Sequence, residues 1–298
     1  MTLDQLVRHA ALRLQAAGSP SPRLDAEVLW MHVTGRDRTW LYTWGDRTWG
    51  DRTRGDRTAV DSAEARWQQA RFDALIAARA QGMPVAYLTG EREFHGLALA
   101  TSPETLIPRP DTETLVEAAL ERATAASGRL LDMGTGTGAI ALAFAGERPG
   151  WQVDGVDIGP EAVALARDNA ARLEIGNVSF VHGDWFSALA DDPLLAFDLI
   201  VANPPYIDAA DPHLRQGDVR FEPRSALVAA EAGLADLRHL VDRAGGYLTP
   251  GGWLALEHGH TQARAVRDML DQAGYARVAS LRDLGGHERV TLGRQPGD

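Results

Sequence analysis

From Arg129 onward, short apolar runs alternate with stretches of helical periodicity, and few folds accept that alternation. The apolar runs cover residues 130–131, 153–156, 178–181, 199–202 and 253–256. Residues 139–145, 160–173, 234–243 and 262–273 lie between or after them with helical character. A strand that is apolar along its length must be covered on both faces, and a crossover helix after each strand supplies that cover. The expected fold class is α/β with a mostly parallel sheet. The tail departs from the pattern: residues 276–282 and 289–292 flank Gly285-Gly286 and read as a closing antiparallel hairpin.

The first 80 or so residues read as helices instead. Leu3, Leu6, Val7, Ala10, Ala11 and Leu14 follow the spacing of one buried helix face. Ser21-Pro22 supplies an N-cap and a first-turn proline for a second helix with Leu24, Val28 and Met31. A third helix is predicted over 62–80, with Trp67, Phe72, Leu75 and Ile76 as core. Between them Gly-Asp-Arg-Thr recurs at 45–48, 50–53 and 55–58. Its short period fits neither helix nor strand and lies far below that of a solenoid. Residues 45–58 therefore read as an exposed, dispensable insertion; an excess of Arg over Asp gives the alternative, a basic contact loop. Deleting 49–57 is expected to leave melting temperature and activity nearly unchanged.

Charge separates the same regions. Residues 1–82 carry a net charge of +2 and residues 83–298 one of −13. We expect a helical domain at 1–82, a linker or strand pair at 83–106 around Tyr87 and Phe94, and an α/β domain at 107–298. The total of −11 argues against nonspecific nucleic-acid binding. All 30 basic residues are Arg and there is no Cys, which excludes thiolate, Schiff-base and cysteine–zinc chemistry. The lack of Lys also excludes a standard Gly-Lys-Ser/Thr phosphate loop. No stretch reaches the roughly 18 apolar residues of a membrane span, and the N-terminus offers no signal-peptide core. A cytoplasmic location without membrane association is expected.

Three places carry chemistry. Asp132-Met133-Gly134-Thr135-Gly136-Thr137-Gly138 follows the first strand of the alternation and opens a helix, where open α/β sheets bind nucleotides. Its third glycine comes one residue earlier than in a dinucleotide fingerprint. The glycines let backbone pass close under a ligand, Asp132 is able to accept bonds from an ammonium group, and a tight strand-to-helix turn is the bland alternative. Asp157 closes the second strand and is placed to accept both hydroxyls of a ribose, or to cap the helix from Pro160. After the third strand, Gly183-Asp184-Trp185-Phe186 offers an aromatic to stack on adenine, with Phe186 equally suited to the core. The most specific signal is Asn203-Pro204-Pro205-Tyr206 after the fourth strand. Consecutive prolines fix the backbone and remove two N–H donors, leaving carbonyls, the Asn203 amide oxygen and the Tyr206 ring toward one small volume. Such a site offers acceptors to a planar –NH2 group. His258 and His260 flank Gly259 without a partner at metal spacing, which points to surface or packing roles.

These motifs resemble class I S-adenosylmethionine (SAM) methyltransferases acting on amino or amide nitrogen. Pro84-Val85-Ala86-Tyr87-Leu88-Thr89-Gly90, Glu93-Phe94-His95-Gly96-Leu97, Leu106-Ile107-Pro108-Arg109-Pro110-Asp111-Thr112-Glu113, Glu222-Pro223-Arg224-Ser225-Ala226-Leu227 and Glu257-His258-Gly259 narrow the likeness. Together they resemble the HemK/PrmC family, the protein-(glutamine-N5) methyltransferases of peptide chain release factors. The resemblance implies a Rossmann-like seven-stranded sheet with a C-terminal antiparallel hairpin, behind a small helical substrate-recognition domain. It implies that Asp132, Gly134, Thr135, Gly136, Thr137, Gly138, Asp157, Asp184, Trp185 and Asn203 serve SAM, with S-adenosylhomocysteine as product. It further implies that Asn203, Pro204, Pro205 and Tyr206 hold the glutamine of a release factor's Gly-Gly-Gln tip. His95 and the Gly-Asp-Arg-Thr repeat depart from the family pattern. Two rival functions are a nucleic-acid amino-methyltransferase and a non-catalytic SAM-binding module. No stable nucleic-acid binding is expected.

Overall fold

Leu130 and Leu131 are both fully buried although they face opposite ways, because successive side chains of a strand alternate between its two faces. Each face therefore needs its own cover. In the computed structural model, which describes residues 1–49, 62–189 and 195–297, their strand is an interior member of a seven-stranded sheet. The chain divides into two units, Met1–Gly90 with Arg215–Phe221, and Glu91–Leu214 with Glu222–Asp298.

The first unit holds α1 (Leu3–Ala16), α2 (Pro22–Thr34), α3 (Arg38–Trp44), α4 (Ser62–Ala80) and α5 (Val85–Thr89). Leu3, Val7, Leu14, Leu29, Trp30, Phe72 and Ile76 form its core. One core expectation, Trp67, needs correction. Trp67 is 58% exposed and Leu24 is 47% exposed. α2 is turned so that Ala26, Leu29, Trp30 and Val33 face inward, and it buries Asp25 and Glu27 as well. Asp25 survives burial because it is fully served. It accepts from Ser19 Oγ (2.8 Å), Ser21 Oγ (2.7 Å) and Arg79 Nε (2.7 Å), and Arg79 reaches on to Asp218 (2.6 Å).

The repeat is corrected too. Its first copy is structural, since the N–H groups of Leu3 and Asp4 at the start of α1 donate to the carbonyls of Arg47 and Gly45. Trp49 meets Trp30 edge-on at 5.1 Å and Trp40 at 5.8 Å. A deletion beginning at residue 49 thus removes an aromatic from the core, contrary to the neutral outcome expected for 49–57. The later copies at 50–53 and 55–58 lie outside the described residues.

The second unit opens with a hairpin of β1 (Glu91–Phe94) and β2 (Leu97–Ala100), followed by α6 (Glu113–Arg122). The region set apart in the sequence as 83–106 is thus shared, with α5 in the first unit and this hairpin in the second. Then come β3 (Arg129–Met133), α7 (Ala139–Glu147), β4 (Gln152–Asp157), α8 (Pro160–Arg172), β5 (Val178–His182) and β6 (Phe197–Ala202). The one-turn α9 (Ala230–Gly233), α10 (Ala235–Ala244), β7 (Leu248–Glu257), α11 (Ala263–Gln272), β8 (Ala276–Arg282) and β9 (Glu288–Arg294) complete it. The sheet order is β5-β4-β3-β6-β7-β9-β8, parallel except where β9 pairs with β7 and β8. Leu130, Val153, Leu199 and Val201 pack on one face with α6, α7 and α8. Leu131, Met133, Ile200 and Leu256 pack on the other with α10 and α11.

Candidate functional site

The strand sequence reverses direction across β3, with β4 on one side and β6 on the other, and such a reversal leaves a crevice beyond the carboxyl ends of the strands. A cavity of about 320 Å³ opens there. Its wall takes Gly134 to Thr137 after β3, Asp157 at the end of β4, Asp184 and Trp185 after β5, and Asn203 and Pro205 after β6.

The loop after β3 is shaped by alternate left-handed residues. Gly134, Gly136 and Gly138 have φ of 74°, 53° and 82°, a region glycine enters without a Cβ clash. This accounts for Gly-Thr-Gly-Thr-Gly and for its early third glycine. A Cβ on Gly138 would also stand 3.0 Å from Leu142 and 3.1 Å from Phe180. The Thr135 hydroxyl donates to Asp132 Oδ2 at 2.7 Å, and the Ala141 N–H donates to the same oxygen at 3.3 Å.

Asp132 does not reach the cavity wall. It is fully buried, and in place of the expected ammonium contact it ties the loop to the start of α7. Burial pushes its carboxyl up to about 7, against the pull of Thr135 and Ala141. The native state therefore holds this proton more tightly than the unfolded chain does. The associated stability is complete below the ordinary value of 3.8 and is lost as pH rises through about 7. Asp132→Asn is neutral at every pH, so its melting temperature should improve relative to wild type between about pH 5 and about pH 8. Calorimetric scans of both proteins check this; a gap that does not move with pH would contradict it.

Asp157 clasps two turns at once. Its Oδ2 accepts the Gly136 N–H and its Oδ1 the Gly159 N–H, both at 2.8 Å. It is not the cap of α8, a position held by Gly159. Each carboxylate oxygen keeps a further lone pair, which suits the two hydroxyls of a ribose. Trp185 sits at φ 46°, a conformation costing a non-glycine residue about 1–2 kcal/mol. Its ring stands over Gly134, and a Cβ there would lie 3.7 Å from it. Phe186 turns the other way, buried and stacked on Tyr247 at 4.7 Å. Trp185 is wall and Phe186 is core.

Asn203 Nδ2 donates to Thr112 Oγ1 at 3.2 Å, which leaves Oδ1 to the cavity it lines. Pro204 is buried, and neither it nor Tyr206 is part of the wall. The Tyr206 phenol, expected to face the site, instead donates to Glu257 Oε1 at 3.3 Å. Burial and the Glu257 charge raise this phenol well above its ordinary range. Its carbonyl accepts from Gln262 Nε2 at 3.0 Å. The motif therefore presents Asn203 and Pro205 and uses Tyr206 as a fastening behind them.

Several participants went unassigned in the sequence reading. Arg109, Thr112 and Asp236 line the cavity, and Arg109 is paired with the buried Glu222. Only their membership of the 106–113 and 222–227 stretches pointed to Arg109, Thr112 and Glu222; Asp236 gave no signal beyond an acid in the first turn of α10. The wall carries Glu104, Asp157, Asp184 and Asp236 against the already paired Arg109, a field that draws in a cation. His258 is a packing histidine, bonded to the Gly259 carbonyl and to Thr291 Oγ1, while His260 is exposed. Among the described residues no cluster of His, Asp and Glu could hold a metal ion.

A ligand with a nucleoside at one end and a positive sulfur further along fits this cavity. Asp157 would take its ribose, Trp185 and Ile158 supply apolar faces for its base, and the acidic wall suits its charge. A family model described as Methyltransferase small domain matches residues 110–217, and one described as PrmC N-terminal domain matches residues 5–55. A Vibrio cholerae protein named Release factor glutamine methyltransferase is 51% identical over 294 residues, covering 99% of this chain and 97% of that protein. The Escherichia coli protein of the same name is 50% identical, with 99% of each chain covered. Among solved structures, a methyltransferase from Pyrococcus furiosus aligns with a TM-score of 0.51 at 20% identity, covering 77% of this chain and 98% of that one. That last likeness bears on the fold alone.

Proposed function

The chain belongs to the release factor glutamine methyltransferase family, and on that premise we propose that it transfers a methyl group from SAM to the side-chain amide nitrogen of a release-factor glutamine. The proposed target is the glutamine of a Gly-Gly-Gln tip. SAM, when bound, supplies a methyl group carried on a positively charged sulfur and leaves as S-adenosylhomocysteine.

The observation that carries this reading is the state of Asn203, whose Nδ2 is engaged by Thr112 so that a bare acceptor oxygen faces an acid-lined cavity. An amide nitrogen is a weak nucleophile because its lone pair is delocalised into the carbonyl. Asn203 Oδ1 takes one N–H of the glutamine; Pro204, the second acceptor expected from the sequence, is buried off the wall. The nitrogen is then fixed, and its lone pair is turned toward the methyl carbon. Orientation of this kind is worth up to about 7–11 kcal/mol in well-aligned systems. The same acceptor stabilises positive charge as it develops on nitrogen. The nitrogen forms the new bond to carbon and releases its proton to water, so no general base is required of the chain.

The helices of residues 1–80 are proposed to grip a release-factor surface away from the glutamine, because one residue in a pocket cannot select a whole protein. An acidic wall is a poor surface for phosphate, which disfavours the nucleic-acid reading and fits the proposal that no stable nucleic-acid complex forms. Action on release factors fits a cytoplasmic location. No helix among the described residues is long and apolar enough to cross a membrane. Incubation with methyl-labelled SAM and either a release factor or total RNA tests the proposal. Label on the release factor supports it; label on RNA, or none, overturns it.

A further inference from the structure

The stretches 106–113 and 222–227 stood out in the sequence, yet the reaction described so far uses neither Arg109 nor Glu222. Arg109 precedes a single 3₁₀ turn, Pro110–Thr112, and its carbonyl accepts the Thr112 N–H at 3.1 Å. Thr112 is in turn the partner of Asn203 Nδ2. Arg109 is therefore one turn of chain away from the anchor of Asn203. Glu222 fastens it from another part of the sequence. The Glu222 side chain is fully buried, with Oε1 accepting from Arg109 Nη2 and Oε2 accepting the Ile107 N–H at 3.2 Å.

Both carboxylate oxygens of Glu222 are thus engaged, but the guanidinium is not used up, because it carries five N–H donors. Apart from the bond to Glu222, it has no hydrogen-bond partner among the described residues. The Arg109 side chain is 32% exposed and stands on the cavity wall. Among the described residues that line the cavity, it is the only basic one, set against Glu104, Asp157, Asp184 and Asp236. This bears on SAM, which carries a carboxylate as well as its sulfonium and ammonium groups. The acids suit the two cations. An anion entering the same wall is repelled unless a cation meets it.

Resting on the proposed reading of the site, we infer that Arg109, held by Glu222, takes the carboxylate at the amino-acid end of SAM. The order of the strands gives the direction in which SAM lies. Trp185 after β5 takes the base, Asp157 at the end of β4 takes the ribose, and Asn203 after β6 stands at the methyl group. The amino-acid chain leaves the sulfur on the side of the 109–112 turn, which Thr112 ties to Asn203. A guanidinium is suited to that end, since it stays charged and pairs with a carboxylate through charge-assisted hydrogen bonds. Glu222 holds Nη2 and leaves the Nη1 end to the ligand. The carboxylate is unchanged by methyl transfer, so Arg109 is a binding residue for SAM and for S-adenosylhomocysteine alike.

The test measures Kd by titration calorimetry for SAM, S-adenosylhomocysteine and decarboxylated SAM, which keeps the nucleoside, the sulfonium and the amine. The proteins are wild type, Arg109→Met and the Arg109→Met/Glu222→Gln pair. The single variant leaves a buried acid unpaired and is open to misfolding. The pair keeps the net charge and an acceptor for the Ile107 N–H. Wild type should bind SAM about 10–100-fold more tightly than decarboxylated SAM, the usual effect of one hydrogen bond between charged groups. In the variants that preference should shrink to within about threefold. S-adenosylhomocysteine should weaken in step with SAM, while decarboxylated SAM should weaken by less than about threefold. Equal binding of SAM and decarboxylated SAM by wild type, or a full preference kept in the variants, would overturn the inference alone. Failure of wild type to bind any of these ligands would overturn the reading of the site with it.

Discussion

Asn203→Ala is expected to lower kcat for methyl transfer by roughly 10²–10³, equivalent to about 2.7–4 kcal/mol, the usual loss when one directed partner of developing charge is removed. The side chain sits on the cavity wall with its nitrogen end tied to Thr112, so alanine removes the free acceptor and little else. SAM affinity should change by less than about threefold, because Asp157 and the loop from Gly134 to Gly138 remain. If Asn203 merely ended β6, the variant would melt earlier and its folded fraction would turn over normally. Calorimetry for SAM and a methyl-transfer assay on one preparation separate the two. A kcat within about threefold of wild type would end the amide-acceptor mechanism.

Asp157→Ala should act on the other constant. Two hydrogen bonds to a charged carboxylate are worth about 1.5–3 kcal/mol each, so loss of both ribose contacts should raise Kd for SAM by about 100-fold or more. The change also frees the Gly136 and Gly159 N–H groups from their shared partner, which loosens the loop that lies under the ligand. At saturating SAM, kcat should fall far less than affinity does. Titration calorimetry gives the affinity directly. A lower melting temperature with unchanged Kd would assign Asp157 to the loop clasp alone.

The features easiest to read in the sequence were those imposed by backbone geometry. Period-two burial places Leu130 and Leu131 on opposite faces, and left-handed φ at Gly134, Gly136 and Gly138 writes itself into the glycine spacing. Consecutive prolines likewise marked the end of β6. Side-chain direction was harder, because it depends on partners distant in the chain. Asp132 looked like a ligand contact until Thr135 and the Ala141 N–H claimed it from beneath the loop. Tyr206 looked like site surface, yet Glu257, 51 residues away, turns its phenol inward. α2 was read on its aliphatic spacing, whereas Trp30 and the paired acids Asp25 and Glu27 set its buried face. The Gly-Asp-Arg-Thr repeat looked expendable as composition, and only its hydrogen bonds to the start of α1 show its first copy to be a cap.

The proposed function has the site methylate an amide nitrogen held by Asn203. Its most direct test is to locate the methyl group. Release factor treated with SAM and this protein would be digested and fragmented by mass spectrometry, beside a factor whose Gly-Gly-Gln glutamine is replaced. One methyl group on that glutamine's side-chain nitrogen, absent from the replaced factor and nearly absent with Asn203→Ala, is the predicted result. A methyl group on another residue, or one placed equally well by Asn203→Ala, would contradict it.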